Sequence, residues 1–188
     1  MDKWESAYQI SQSGWIKGLP ETPCGIGSTI KNNKDVIFTI NNIIKEYWIK
    51  SITDLGCGDF NWMSKVNLSG IQYTGYDWVL RPEVEKYRSE NIQFIRANIG
   101  EIKIPKSDLI ICKDVFIHLS NELIAIILDK MHESKSKYAI LSTYNLPDNI
   151  REVQNYCPVD LHLPPFNFPT ALEKLNIRDN YYLNLYEL

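Results

Sequence analysis

Ile52-Thr53-Asp54-Leu55-Gly56-Cys57-Gly58-Asp59 reads as a short strand that runs into a glycine turn. Ser51–Leu55 supplies the β run. Gly56 and Gly58 let the backbone bend sharply and come close to a bound molecule at the sheet's carboxyl edge. Turns use glycine regardless, so the pair alone means little. An acid further along the chain gives it weight. About twenty residues on, a second strand over residues 71–76 ends in Asp77, where a carboxylate can accept both hydroxyls of a ribose.

Outward from this stretch, strand-like and helix-like pieces alternate. Before it, Val36, Ile37, Ile40, Ile43, Ile44 and Tyr47 recur at helical spacing over residues 35–48. After it come a short helix over residues 61–66 and a helix over residues 81–90, with Pro82 suited to the first turn. Residues 92–97 and 108–112 read as the third and fourth strands, the fourth apolar enough to be buried on both faces. Ser120 or Asn121 can cap a helix carrying Leu123, Ile124, Ile127, Leu128 and Met131. A fifth strand lies over residues 138–143. Alternation at these lengths predicts an α/β fold, a mostly parallel sheet with helices on both faces. The tail departs from it: residues 159–163 and 181–186 read as two strands, separated by Pro164-Pro165-Phe166-Asn167-Phe168-Pro169 and a short helical stretch, finishing the sheet as an antiparallel edge.

Composition narrows the function classes. A chain of 188 residues, 44% hydrophobic and 23% charged, fits one globular domain and excludes a low-complexity chain. The net charge of −3 disfavours nucleic acid as a partner, because neutralising phosphates takes a basic surplus. Cys24, Cys57, Cys112 and Cys157 form no CxxC pair, which argues against a zinc site or a disulfide framework. The polar start Met1-Asp2-Lys3-Trp4-Glu5 lacks the apolar core of a signal peptide, and no apolar run is long enough to span a bilayer. The expectation is a cytoplasmic protein with no membrane partner.

Asp54-x-Gly56-x-Gly58 followed by Asp77 resembles the class I S-adenosylmethionine-dependent methyltransferases. Phe94-Ile95-Arg96-Ala97-Asn98 is similar to that family's third-strand motif, and residues 108–114 to its fourth. Gly25-Ile26-Gly27-Ser28 resembles a segment placed beside the cofactor's methionyl end, and the tail is similar to small bacterial or phage members with unassigned or sugar-related substrates. The likeness covers roughly residues 25–145 and departs at Phe60, where a third glycine is usual, and at Asn98, where an acid is usual. A nicotinamide fingerprint would need its third glycine at Asn61, so hydride transfer is disfavoured.

The resemblance implies a single Rossmann-like, doubly wound domain divided into an arm (1–33), a cofactor-binding core (34–145) and C-terminal strands with an acceptor-side loop (146–188). It implies S-adenosylmethionine as cofactor, held by Gly27, Ser28, Asp54, Gly56, Gly58, Asp77, Trp78, Asn98, Ile99 and Lys113. Asn98 can hydrogen-bond adenine through its amide.

Chemistry belongs just past the fourth strand, in Lys113-Asp114-Val115-Phe116-Ile117-His118. If that segment is helical, Asp114 and His118 share a face. His118 can then act as general base with Asp114 orienting it, or the two can hold a divalent metal, for which no third ligand is visible. Packing beside the cofactor is the plain alternative for His118. Tyr144, Asn149 and Phe166 are candidates for the acceptor pocket, and Arg151 for an anionic group on the acceptor. His132 reads as solvated and His162 as facing outward. Pro164-Pro165-Phe166 fails as the motif of amino-group DNA methyltransferases, because Leu163 precedes it and it lies after the fifth strand. The expectation is therefore O-methylation of a small polar or carbohydrate acceptor; the alternative is a non-catalytic S-adenosylmethionine-binding module that works through protein partners.

Overall fold

The computed structural model describes residues 21–149 and 156–188. Seven strands form one sheet: β1 (Ser51–Leu55), β2 (Gln72–Asp77), β3 (Ile92–Arg96), β4 (Leu109–Cys112), β5 (Tyr138–Tyr144), β6 (Glu173–Arg178) and β7 (Tyr181–Glu187), in the spatial order β3-β2-β1-β4-β5-β7-β6. The first five are mutually parallel, and β7 pairs antiparallel with both β5 and β6. The chain leaves β1 in one direction to build β2 and β3, then returns to place β4 on the other side. That reversal opens a crevice at the carboxyl ends of β1 and β4, where open α/β sheets bind ligands.

Among the described residues, two α-helices cover the faces. In α1 (Lys34–Glu46), Val36, Ile40 and Ile43 are buried against Ile52, Leu109, Ile111 and Ile140. In α2 (Asn121–Glu133), Ile124, Ile127, Leu128 and Met131 are buried against Ile110, Cys112, Ala139 and Leu141 on the opposite face. Successive β4 residues thus go to different cores, which explains the unbroken apolar run. Each such side chain contributes roughly 1.5–3 kcal/mol on burial. Ser120 caps α2 by accepting the Leu123 amide at 3.3 Å.

The doubly wound sheet with an antiparallel edge agrees with the sequence expectation, and four local readings are corrected. The helix expected over residues 81–90 is a 3-10 segment at Pro82–Tyr87, and the one over residues 61–66 shrinks to Met63–Lys65. Residues 159–163 are not a strand: β7 already pairs with β5 along all of Tyr138–Tyr144, so they have no ladder to join. Their backbone makes a single main-chain bond to β5, the Tyr144 amide on the Val159 carbonyl at 2.8 Å, and is otherwise held by the tail and by side chains, with the Leu161 amide on Thr143 Oγ1 at 2.9 Å and the Asp160 amide on Asn149 Oδ1 at 2.9 Å. The stretch expected to be helical holds β6, whose Leu175 and Ile177 alternate with the exposed Lys174, Asn176 and Arg178. Of the arm, residues 1–20 lie outside the described residues, as does Arg151.

Candidate active site

Gly56 and Gly58 shape the crevice. Both have left-handed backbone, with φ of 81° and 58°. A Cβ on Gly56 would collide with Val115 Cγ2, so space as well as conformation demands glycine there. The amides of Gly56 and Cys57 both donate to the Tyr76 carbonyl, at 2.7 and 3.1 Å, which folds the turn over the end of β2. Phe60 is also left-handed, at φ 61°. That conformation costs about 1–2 kcal/mol without glycine. Its ring offsets this by burial, lying 5.0 Å from Tyr73, 5.1 Å from Tyr87 and 5.0 Å from Phe94. The missing third glycine is thus replaced by a packed aromatic with the same backbone sign.

Asp77 ties the loop to β2. Its Oδ2 accepts the Gly58 amide at 2.9 Å and its Oδ1 the Val79 amide at 3.0 Å, the residue lines the cleft, and a carboxylate has acceptor capacity beyond these two bonds. Burial pushes its pKa up against those amide bonds and the nearby Arg81 charge. Asp54 is buried deeper, with Tyr73 donating to Oδ2 at 2.6 Å. Burial raises its pKa to about 7, opposed by the Tyr73 bond, with the Asp77 charge adding to the rise and Lys113 opposing it.

Across the crevice lies the segment around Gly25–Ser28. The Gly27 carbonyl accepts Asn33 Nδ2 at 2.7 Å and Lys113 Nζ at 3.3 Å, while Asn61 Nδ2 donates to the Ser28 carbonyl at 3.0 Å. Thr22 donates its hydroxyl to Asp59 at 2.5 Å. These bonds bind the arm to the glycine loop and to the β4 exit, forming a cleft of about 590 Å³. That volume falls within the roughly 300–1,000 Å³ of small-molecule and cofactor sites.

All ten residues assigned to the cofactor line this cleft, together with Asp114, His118 and Tyr144. Trp78 Nε1 is buried there with no hydrogen-bond partner, a donor that a bound molecule can satisfy. Asn98 already uses its amide locally, accepting from Gly100 at 3.0 Å and donating to Glu101 at 2.8 Å, which leaves one amide hydrogen. Lys113 directs its ammonium to Gly27 and Asp114. The Asp114–His118 segment is not a continuous helix. Asp114 is left-handed at φ 59° and only Phe116–His118 makes a 3-10 turn, so the turn rather than a shared helix face brings both into the cleft. Asp114 is held on both sides, by the Tyr181 hydroxyl at 2.7 Å and by Lys113.

Asn149 and Phe166 do not line the cleft. Asn149 pins the tail, donating to the carbonyls of Asp160 at 2.7 Å and Pro164 at 3.0 Å, and Phe166 packs against the α2-side core. His162 is not simply outward: it bridges Asp160 and Tyr186, at 3.2 Å on each side. Sequence reasoning missed Cys24, Trp62, Arg81, Leu123, Tyr156 and Arg178 in the cleft. For Arg178 a signal existed, the period-2 run from Lys174 to Arg178 ahead of the turn pair Asp179-Asn180. Tyr156 carries no local signal. Among the described residues, no cluster of three or more His, Cys, Asp or Glu could hold a metal, and no helix is long and apolar enough to cross a membrane.

Glycine turn, β2 carboxylate, parallel sheet and antiparallel edge together make this the Rossmann-like fold of class I methyltransferases. No family model and no curated protein matches the chain in sequence. Solved structures match in fold at low identity. Magnesium protoporphyrin IX methyltransferase from Synechocystis, crystallised with S-adenosylmethionine, superposes with a TM-score of 0.69 at 14% identity, over 100% of this chain and 96% of that one. Burkholderia thailandensis 1,6-didemethyltoxoflavin-N1-methyltransferase, with S-adenosylhomocysteine bound, gives 0.68 at 13% identity, over 98% and 84%. The N-methyltransferase NodS from Bradyrhizobium japonicum, also with S-adenosylhomocysteine, gives 0.68 at 11% identity, over 99% and 98%.

Proposed function

We propose that this chain is an S-adenosylmethionine-dependent methyltransferase that methylates a hydroxyl of a small polar acceptor, sugars included. The observation that carries the reading is the Asp77 carboxylate clasping the Gly58 amide at the β1/β4 crevice, with lone pairs left for a ribose. Three fold neighbours crystallised with S-adenosylmethionine or its demethylated product support it. The unpartnered Trp78 indole N–H and the side-chain-free Gly56 and Gly58 fit the adenosine portion, while Asp54 and Asp77 suit a cationic ligand. A negative net charge without a basic run favours a small acceptor over a polynucleotide.

When bound, the cofactor supplies a methyl group on a positively charged sulfur. The chain's own work is to hold the acceptor and take its proton. His118, which lines the cleft, takes the hydroxyl proton. Asp114, fixed by Tyr181 and paired with Lys113, lines the same cleft and has the orienting role beside His118. Ile117, packed with Tyr144 and Tyr181, limits water at this end.

Two measurements test the reading. Calorimetry should show S-adenosylhomocysteine binding, and tritiated-methyl transfer should label a fractionated metabolite and glycan pool. His118→Ala should lower turnover by roughly 10²–10⁴-fold with cofactor affinity nearly intact. Turnover within a few-fold of wild type would remove His118 as the base, and label confined to nucleic acid would overturn the small acceptor. Binding without any transfer would favour a non-catalytic module.

A further inference from the structure

The cleft is polarised by charge. Asp54 and Asp77 lie at the glycine-loop end, and at the other end Lys113 is neutralised by its ion pair with Asp114. Arg178 then remains as a positive charge at the acceptor end. It closes β6 where the pairing with β7 slips between Asn176 and Arg178, and Asp179 beyond it is left-handed at φ 39°. This irregular hairpin end brings Arg178 from the far edge of the sheet to the wall of the cleft. Its guanidinium stands 5.7 Å from the Tyr181 ring centroid, and among the described residues no carboxylate comes within ion-pair distance of it.

Tyr144 and Tyr156 line the same end, their hydroxyls bonded to each other at 2.7 Å. Two mutually bonded hydroxyls use one proton between them and keep the second to donate. A guanidinium fork beside a spare O–H donor matches a carboxylate or phosphate, for which such charge-assisted bonds are strong. An uncompensated cation here would also oppose a positively charged sulfur in the same cleft, and an anion on the acceptor removes that repulsion.

We propose that the methyl acceptor carries an anionic group, a carboxylate or a phosphate, bound by Arg178 together with the Tyr144–Tyr156 hydroxyl pair. The inference rests on the methyltransferase reading and narrows its acceptor. The test is calorimetric titration of the full chain, with and without saturating S-adenosylhomocysteine, using benzoate, phenyl phosphate and uncharged benzamide. At least one anion should bind saturably and benzamide at least tenfold more weakly. Arg178→Gln should lower anion affinity tenfold or more, Arg178→Lys should retain part of it, and both should bind S-adenosylhomocysteine like wild type. The preferred anion distinguishes carboxylate from phosphate.

Absence of saturable binding by either anion would overturn the proposal, as would benzamide binding equally well. An Arg178→Gln variant that binds the anions like wild type would do the same. If S-adenosylhomocysteine itself fails to bind, the methyltransferase reading fails, and the titration without it still decides whether Arg178 holds an anion.

Discussion

Replacing Asp77 by Asn separates ligand recognition from fold. The wild-type carboxylate accepts two amides, from Gly58 at 2.9 Å and Val79 at 3.0 Å. An isosteric amide keeps one acceptor and turns its NH2 group toward the other backbone donor, so one of the two bonds is lost. Against that loss, burial already penalises the charge, as the raised pKa of Asp77 records, and the neutral amide relieves that penalty. The two effects on stability oppose each other, and the melting temperature should move by only a few degrees. Ligand affinity has no such compensation. A charge-assisted bond to a ribose hydroxyl contributes about 1.5–3 kcal/mol, so S-adenosylhomocysteine should bind about 10–150-fold more weakly. Titration calorimetry on both proteins, beside thermal unfolding, reads both quantities. An affinity within threefold of wild type would refute the ribose assignment. A melting temperature lowered by more than about 10 °C would show that Asp77 chiefly holds the loop together.

Gly56→Ala should destabilise the chain by about 2–5 kcal/mol, combining the left-handed backbone with a methyl driven into Val115, and denaturant unfolding would register it. A loss under 0.5 kcal/mol would mean that the β4 exit yields easily. Asp54 should make stability fall as pH rises. Its folded pKa, about 7, lies above the ordinary 3.8, so the folded state holds the extra proton and its contribution is full below about pH 4 and lost on approaching pH 7. Thermal unfolding from pH 5 to pH 8 should therefore show wild type losing ground to Asp54→Asn, and parallel curves would contradict the burial argument. Tyr181→Phe removes the hydroxyl that holds Asp114 Oδ1 while keeping the ring. Turnover should drop about tenfold with S-adenosylhomocysteine affinity unchanged, and a steady-state assay showing full activity would mean that Lys113 alone positions the carboxylate.

Much of this protein was legible in order along the chain, because period and punctuation are local properties. The glycine turn after β1, the carboxylate ending β2, the doubly buried β4 and the capped α2 each depend on neighbours a few residues away. The resemblance led to ten residues that all line one cleft. Tertiary structure decided what local pattern cannot carry. Residues 159–163 alternate like a strand, yet β7 occupies the edge they would need, so competition for one set of backbone donors and acceptors sends them elsewhere. Asn149 has the look of a pocket residue, but its amide is consumed by the tail it holds down. Phe60 looked like a departure from a glycine pattern, and only the three rings packed around it show how a non-glycine residue keeps the left-handed turn. Arg178 and Tyr156 reach the cleft from chain segments far from the glycine loop in sequence. Their place depends on the hairpin at the sheet's far edge and on the packing of the tail, long-range contacts that no window of sequence contains.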